Sequence, residues 1–192
     1  MVRHDTFTIS RHLDVPPGEV FTAFADTEVR RRWFRLPGSG ASSEHDFRVG
    51  GGETARSTFT GLDTAPELLE YRSRYIDIAN ADRIIYGYEA VVDGVLRWTS
   101  LVTVRLAAEA DGTRLDWTEQ VTFVRYAGDG GVDLAHLRGA SVLRLNGLDA
   151  ALQPEHPRQQ RRRTRVSDGA IDSLSTTSPA VSNRRNDKKD HA

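Results

Sequence analysis

The apolar positions of this chain change period several times, and each change marks an element. Residues 5–13 alternate, with Phe7, Ile9, Arg11 and Leu13 on one side and Thr6, Thr8, Ser10 and His12 on the other, the two-residue period of a half-buried strand. Val15-Pro16-Pro17-Gly18 ends it, and prolines suit the first turn of a helix, where backbone amides have no partners to lose. Val20, Phe21 and Phe24 then fall at helical spacing, and Asp26-Thr27 supplies an N-cap for a second short helix through Trp33-Phe34. Residues 36–44, with Pro37, Gly38, Gly40 and three serines, read as a loop; residues 45–49 and the turn at Gly50-Gly51-Gly52 read as part of a hairpin. Strands are expected over 53–61, 68–78, 83–92, 96–107 and 113–124, separated by Asn80-Ala81-Asp82, Asp93-Gly94 and Asp111-Gly112. An Asp-Gly pair between alternating runs is a hairpin signal, so the sheet is an antiparallel meander.

Residues 132–152 return to a period of three and four, with Leu134, Leu137, Ser141, Leu145, Leu148 and Leu152 on one face. At 1.5 Å per residue such a helix is about 30 Å long, enough to cross a sheet. The order of strand, two short helices, about six strands and one long helix predicts an α+β fold in which a curved antiparallel sheet wraps around the final helix.

Composition divides the chain after Leu152. Its 192 residues allow one domain with a core and a tail. Residues 1–152 hold 17 Arg, no Lys and 22 acids, whereas residues 153–192 hold 7 Arg, 2 Lys and 5 acids. The tail has no aromatic residue and few aliphatics, so it is expected to be disordered. The absence of cysteine excludes a disulfide scaffold, a thiolate metal cluster and cysteine-nucleophile chemistry. No apolar run approaches the roughly 20 residues of a membrane span, and the N-terminus lacks the apolar core of a secretory signal, so a cytoplasmic protein is expected.

Short pieces in a fixed order then carry a resemblance. Phe7-Thr8-Ile9-Ser10-Arg11, Pro16-Pro17-Gly18-Glu19-Val20-Phe21 with Ala23-Phe24, and Arg32-Trp33-Phe34 resemble the opening of the helix-grip superfamily of START domains, pollen-allergen-type carriers and polyketide cyclases. Asp46-Phe47-Arg48-Val49-Gly50-Gly51, Tyr75-Ile76-Asp77-Ile78, Arg83-Ile84-Ile85-Tyr86, Gly112-Thr113-Arg114-Leu115 and Thr118-Glu119-Gln120 continue it. Within that superfamily (SRPBCC, START-like) the chain is similar to the bacterial branch named after the activator of the heat-shock protein 90 ATPase. The resemblance covers residues 5–152. In the final helix Arg138-Gly139 fits, but Ala140 and Ser141 stand where the family carries an aromatic. What the resemblance implies is a cavity between sheet and long helix that takes apolar or amphipathic small molecules. It implies no single reaction, since one fold hosts many functions.

Candidate chemistry concentrates on the last strand, where Leu115, Trp117, Glu119, Val121 and Phe123 share a face. A carboxylate among aromatics is either a raised-pKa acid–base group or one half of an ion pair. Arg11 lies on the inward face of the first strand, and a buried Arg11–Glu119 pair is the preferred expectation. Tyr71, Tyr75, Tyr86 and Tyr88, with Trp33, Trp98 and Trp117, are candidate pocket walls or ordinary core, joined by Leu137 and Ser141 from the helix.

Other chemistry is poorly supported. His4, His12, His45, His136, His156 and His191 form no HExxH motif or cluster of close ligands, so neither metal nor cofactor is expected. No Gly-x-Ser-x-Gly elbow and no phosphate loop occurs. The basic run Arg158, Arg161, Arg162, Arg163 and Arg165 reads as solvated tail rather than a nucleic-acid site, because no aromatic is interleaved. Arg30-Arg31-Arg32 reads as the wet side of a helix. A non-catalytic small-molecule binder is the expectation; the alternatives are a cyclase or dehydratase using pocket tyrosines and Glu119, and a chaperone co-factor. The ligand, its turnover and the oligomeric state are not legible.

Overall fold

The structure is a computed structural model that describes residues 2–61 and 65–153. The tail expected to be disordered lies, from Pro154 onward, outside the described residues. The elements are β1 (Arg3–Leu13), α1 (Pro17–Ala25), α2 (Thr27–Trp33), β2 (Ser39–His45), β3 (Glu53–Phe59), β4 (Glu67–Ala79), β5 (Arg83–Val92), β6 (Val95–Glu109), β7 (Gly112–Phe123) and α3 (Gly131–Leu152). The strands form one curved sheet in the order β1-β7-β6-β5-β4-β3-β2, every pair antiparallel. β2 to β7 run as the expected meander, and β1 closes the far side against β7. None of the described helices is long and apolar enough to cross a membrane.

Local chemistry explains the boundaries. Pro17 opens α1 behind Pro16, and Asp26 serves twice: its amide closes α1 on the Thr22 carbonyl, while its carboxylate accepts from the Glu28 and Val29 amides at 2.8 and 3.0 Å to open α2. At Asp93-Gly94 both residues have positive φ, 50° and 75°, as a two-residue turn between twisted strands requires. Inward positions of β5, β6 and β7 bury Ile84, Tyr86, Val102, Val104, Leu115 and Trp117 to 2% exposure or less. Across that face lies α3, which packs on α1, α2 and β1 and buries Leu137, Ser141, Leu145 and Leu148.

Two expectations are corrected. The loop assigned to 36–44 is largely β2, an edge strand exposed along nearly its whole length. Without a buried face it carries no apolar alternation, so its serines and glycines read as loop. The alternation of β5 also breaks at its end, where Ala90 and Val91 are both buried and the register with β6 shifts between them, leaving Arg97 as the extra residue on β6.

Candidate functional site

Inward alternation on β7 places Glu119 between Trp117 and Val121, fully buried. Its carboxylate accepts three hydrogen bonds: from the Tyr88 hydroxyl at 2.5 Å, the Trp117 indole N–H at 3.1 Å and the Ser141 hydroxyl at 3.1 Å. Ser141 thus ties α3 to the centre of the sheet, at the helix position where an aromatic was expected. Tyr88 accepts in turn from the half-buried Trp98 indole at 3.1 Å.

Arg11 is not the partner of Glu119. The β1–β7 register pairs Phe7 with Glu119 and Arg11 with Leu115, so Arg11 lies four residues along its strand, roughly 13 Å away at 3.3 Å per residue. Its guanidinium reaches the Ser10 carbonyl and the Asn146 side chain on α3 instead. Face had been legible from alternation; register had not.

The buried ion pair belongs to Arg30 and Glu53. Arg30 is 1% exposed, which corrects its assignment to a wet helix face. Its Nε and Nη2 donate to Glu53 Oε2 at 3.1 and 2.8 Å, and the guanidinium lies over the rings of Trp33 and Phe34 at 4.3 and 4.2 Å. Burial is the largest single influence and opposes its charge, but Glu53 together with the phenols of Tyr75, Tyr86 and Tyr71 holds the pKa above the ordinary value. The available signals were the i, i+3 placement of Arg30 and Trp33 on one helix face and the inward alternation of Glu53, Ala55 and Ser57. Beside this pair, His45 Nε2 and the Tyr75 hydroxyl are hydrogen bonded at 3.0 Å, and His45 Nδ1 lies 3.2 Å from Thr27 Oγ1. Burial lowers the His45 pKa and pushes the Tyr75 phenol up to about 12.

The four tyrosines come together as one aromatic face. Ring centroids lie 5.0 Å apart for Tyr71–Tyr88, 5.8 Å for Tyr75–Tyr86 and 6.0 Å for Tyr86–Trp117. These rings occupy the face where the resemblance implies a cavity, and all five are 0–3% exposed. Trp33 stands apart at the end of α2, packed on Phe24 and donating to the Ala23 carbonyl. Leu137 is buried on α3.

One histidine expectation also changes. The fold brings His12 beside Glu109 and Asp111, because the end of β1 meets the β6–β7 turn. The group is exposed, and both ring nitrogens of His12 face carboxylates, at 2.9 Å for Glu109 and 3.4 Å for Asp14. That is the arrangement of a surface ion-pair network. His156 and His191 lie outside the described residues.

A curved antiparallel sheet gripping a long C-terminal helix, with two short helices after the first strand, defines a helix-grip protein. The family model described as Activator of Hsp90 ATPase homolog 1-like protein matches residues 14–134, and the chain belongs to that family. It is similar to the solved structure of a protein from Rhizobium leguminosarum, with 36% identity over 79% of this chain and 96% of that one, at a TM-score of 0.67. A protein from Rhizobium loti is likewise 36% identical over 79% of this chain and 99% of that one, with a TM-score of 0.64. DynU16, from the dynemicin biosynthetic locus, shares the fold at 16% identity and a TM-score of 0.58, over 80% of this chain and 49% of its own. No curated protein matches the chain.

Proposed function

We propose that the protein binds one small apolar or amphipathic molecule between the inner face of its sheet and α3, and does not turn it over. The observation that supports this reading is hydrogen-bonding capacity left unused in an aromatic interior. Arg30 Nη1 lies buried in that interior with no hydrogen-bond partner among the described residues. A buried polar group costs free energy until something pairs with it, and core packing alone gives no reason to leave this one unpaired. Because the rings are covered, a ligand reaches them only when α2 or α3 yields from the sheet.

An enzymatic reading has one observation in its favour, the 2.5 Å contact between the Tyr88 hydroxyl and Glu119. Three donors of the protein itself already occupy that carboxylate. This weighs toward an architectural role. The chaperone reading has the family's description behind it and no residue of this site.

Two measurements test the proposal. Native mass spectrometry of the freshly purified full chain is expected to reveal a retained small molecule. Titration with N-phenyl-1-naphthylamine, an uncharged apolar fluorophore, is expected to saturate at one molecule per chain. A chain that retains nothing and shows no saturable uptake of the fluorophore has no such site.

A further inference from the structure

The interior is unbalanced in donors and acceptors. Around Tyr71 and Tyr86 stand four ionisable side chains, Arg30, Arg144, Glu53 and Glu119. Both acids are engaged: Glu53 by two N–H groups of Arg30, Glu119 by Tyr88, Trp117 and Ser141. The donors are not. Arg30 Nη1 is buried with no hydrogen-bond partner. Arg144, half-buried on α3, makes no hydrogen bond or ion pair among the described residues, and its guanidinium lies 4.8 Å from the centre of the Phe34 ring, over which Arg30 also lies. The Tyr71 ring packs on the same Phe34 at 4.9 Å. Two cations and one tyrosine therefore converge around one phenylalanine, with guanidinium N–H groups to spare.

A buried donor without an acceptor carries its full desolvation penalty, and an anion removes that penalty while making charge-assisted hydrogen bonds. Phe34 also borders a groove between α2 and the β2–β3 edge. Apolar Leu36 and Ala55 line it, Arg31, Arg35 and Arg56 form its charged side, and only neutral or basic residues border it in company with them. Phe34 is common to this groove and to the ring against which both guanidinium groups lie.

We propose that the ligand of this interior is an amphipathic carboxylate, whose head group is read by Arg30 Nη1 and Arg144 beside Phe34 and which enters by the groove between α2 and the β2–β3 edge. The inference rests on the ligand-binding reading above and adds the head-group chemistry to it. Tyr71 and Tyr86 supply further donors; burial raises both phenol pKa values, so they remain protonated and can donate.

The test uses the full chain with N-phenyl-1-naphthylamine as reporter, displaced by decanoate or by decan-1-ol, which share a chain length and differ in head group. Decanoate is expected to displace the reporter at about tenfold lower concentration than decanol, the lower range for charge-assisted hydrogen bonds. In Arg144→Met and in Arg30→Met that ratio should fall to about one, whereas Arg105→Met, on the outer face of β6, should preserve it. Arg144 makes no polar contact that folding depends on, so its variant decides the matter if Arg30→Met does not fold. Equal displacement by the two competitors in the unaltered chain, or a ratio that survives Arg144→Met, overturns the carboxylate while leaving ligand binding standing. Failure of the reporter itself to bind overturns both.

Discussion

Arg30 sits between Glu28 and Arg31-Arg32 in a stretch that reads as solvated, yet it is the charged side chain most completely enclosed by aromatic rings. Its neighbours explain why a guanidinium is tolerated there. Two N–H groups meet one carboxylate, and flat ring faces take the rest of the plane, where a guanidinium is attracted electrostatically. Removing either partner strands the other charge, so Arg30→Met and Glu53→Gln should each cost about 3 to 5 kcal/mol, while the double variant recovers part of the loss. The same double-mutant cycle at Arg11 and Glu119 should give a coupling indistinguishable from zero, as measured by urea unfolding. A coupling at 11 and 119 as large as that at 30 and 53 would contradict the strand register. These residues mark the limit of the sequence. That Glu119 faces inward beside Trp117 is legible from two-residue alternation; that Tyr88 and Ser141 complete its partners depends on which strand and which helix face lie against β7, which no spacing encodes.

At the scale of elements, legibility follows burial. α3 announces itself because one stripe is apolar, and the structure buries Leu145 to 1% while leaving Leu143 at 71%. Leu145→Ala should therefore cost about 2 to 5 kcal/mol and Leu143→Ala less than about 0.5 kcal/mol. Similar denaturation midpoints for the two variants would mean that α3 presents a different face to the sheet. β2 lies at the other extreme. It is polar and mostly exposed, belongs to the sheet by backbone pairing and by the side chain of His45 at its end, and is an edge in which short length discourages pairing with another molecule. Between these cases stand β4 and β6, whose existence alternation predicts but whose bulges, at Ile76 and Arg97, belong to sheet curvature that no single strand records.

At the scale of the molecule, two histidines on different elements make stability depend on pH in opposite senses. His45 is faced by Glu53 and Asp46, which raise its pKa, and by Arg30 and Arg31, which lower it, and burial leads the net decrease below 6.5. The unfolded chain therefore binds more protons just below pH 6.5, and stability falls as pH drops from 6.5 to the folded-state value. His12 is raised above 6.5, chiefly by its hydrogen bond to Glu109 and further by Asp111 and Asp14, so its contribution is present below pH 6.5 and fades as pH rises through the folded-state value. His12 is exposed, which keeps that upper slope shallow. Urea midpoints measured from about pH 5 to 8 should lose the lower slope in His45→Gln and the upper one in His12→Gln; a lower slope unchanged in His45→Gln would place its origin elsewhere. The pairing of β1 with β7 acts on a different timescale. Arg3 meets Phe123 across about 120 intervening positions, a separation that makes folding slow for the size of the chain. A ribosome adding about 5 to 20 residues per second needs roughly 6 to 24 seconds to deliver the second strand after the first. Through that interval the nascent first strand has an open edge, and it is before the last hairpin is made that an unfinished chain is most exposed to pairing with another.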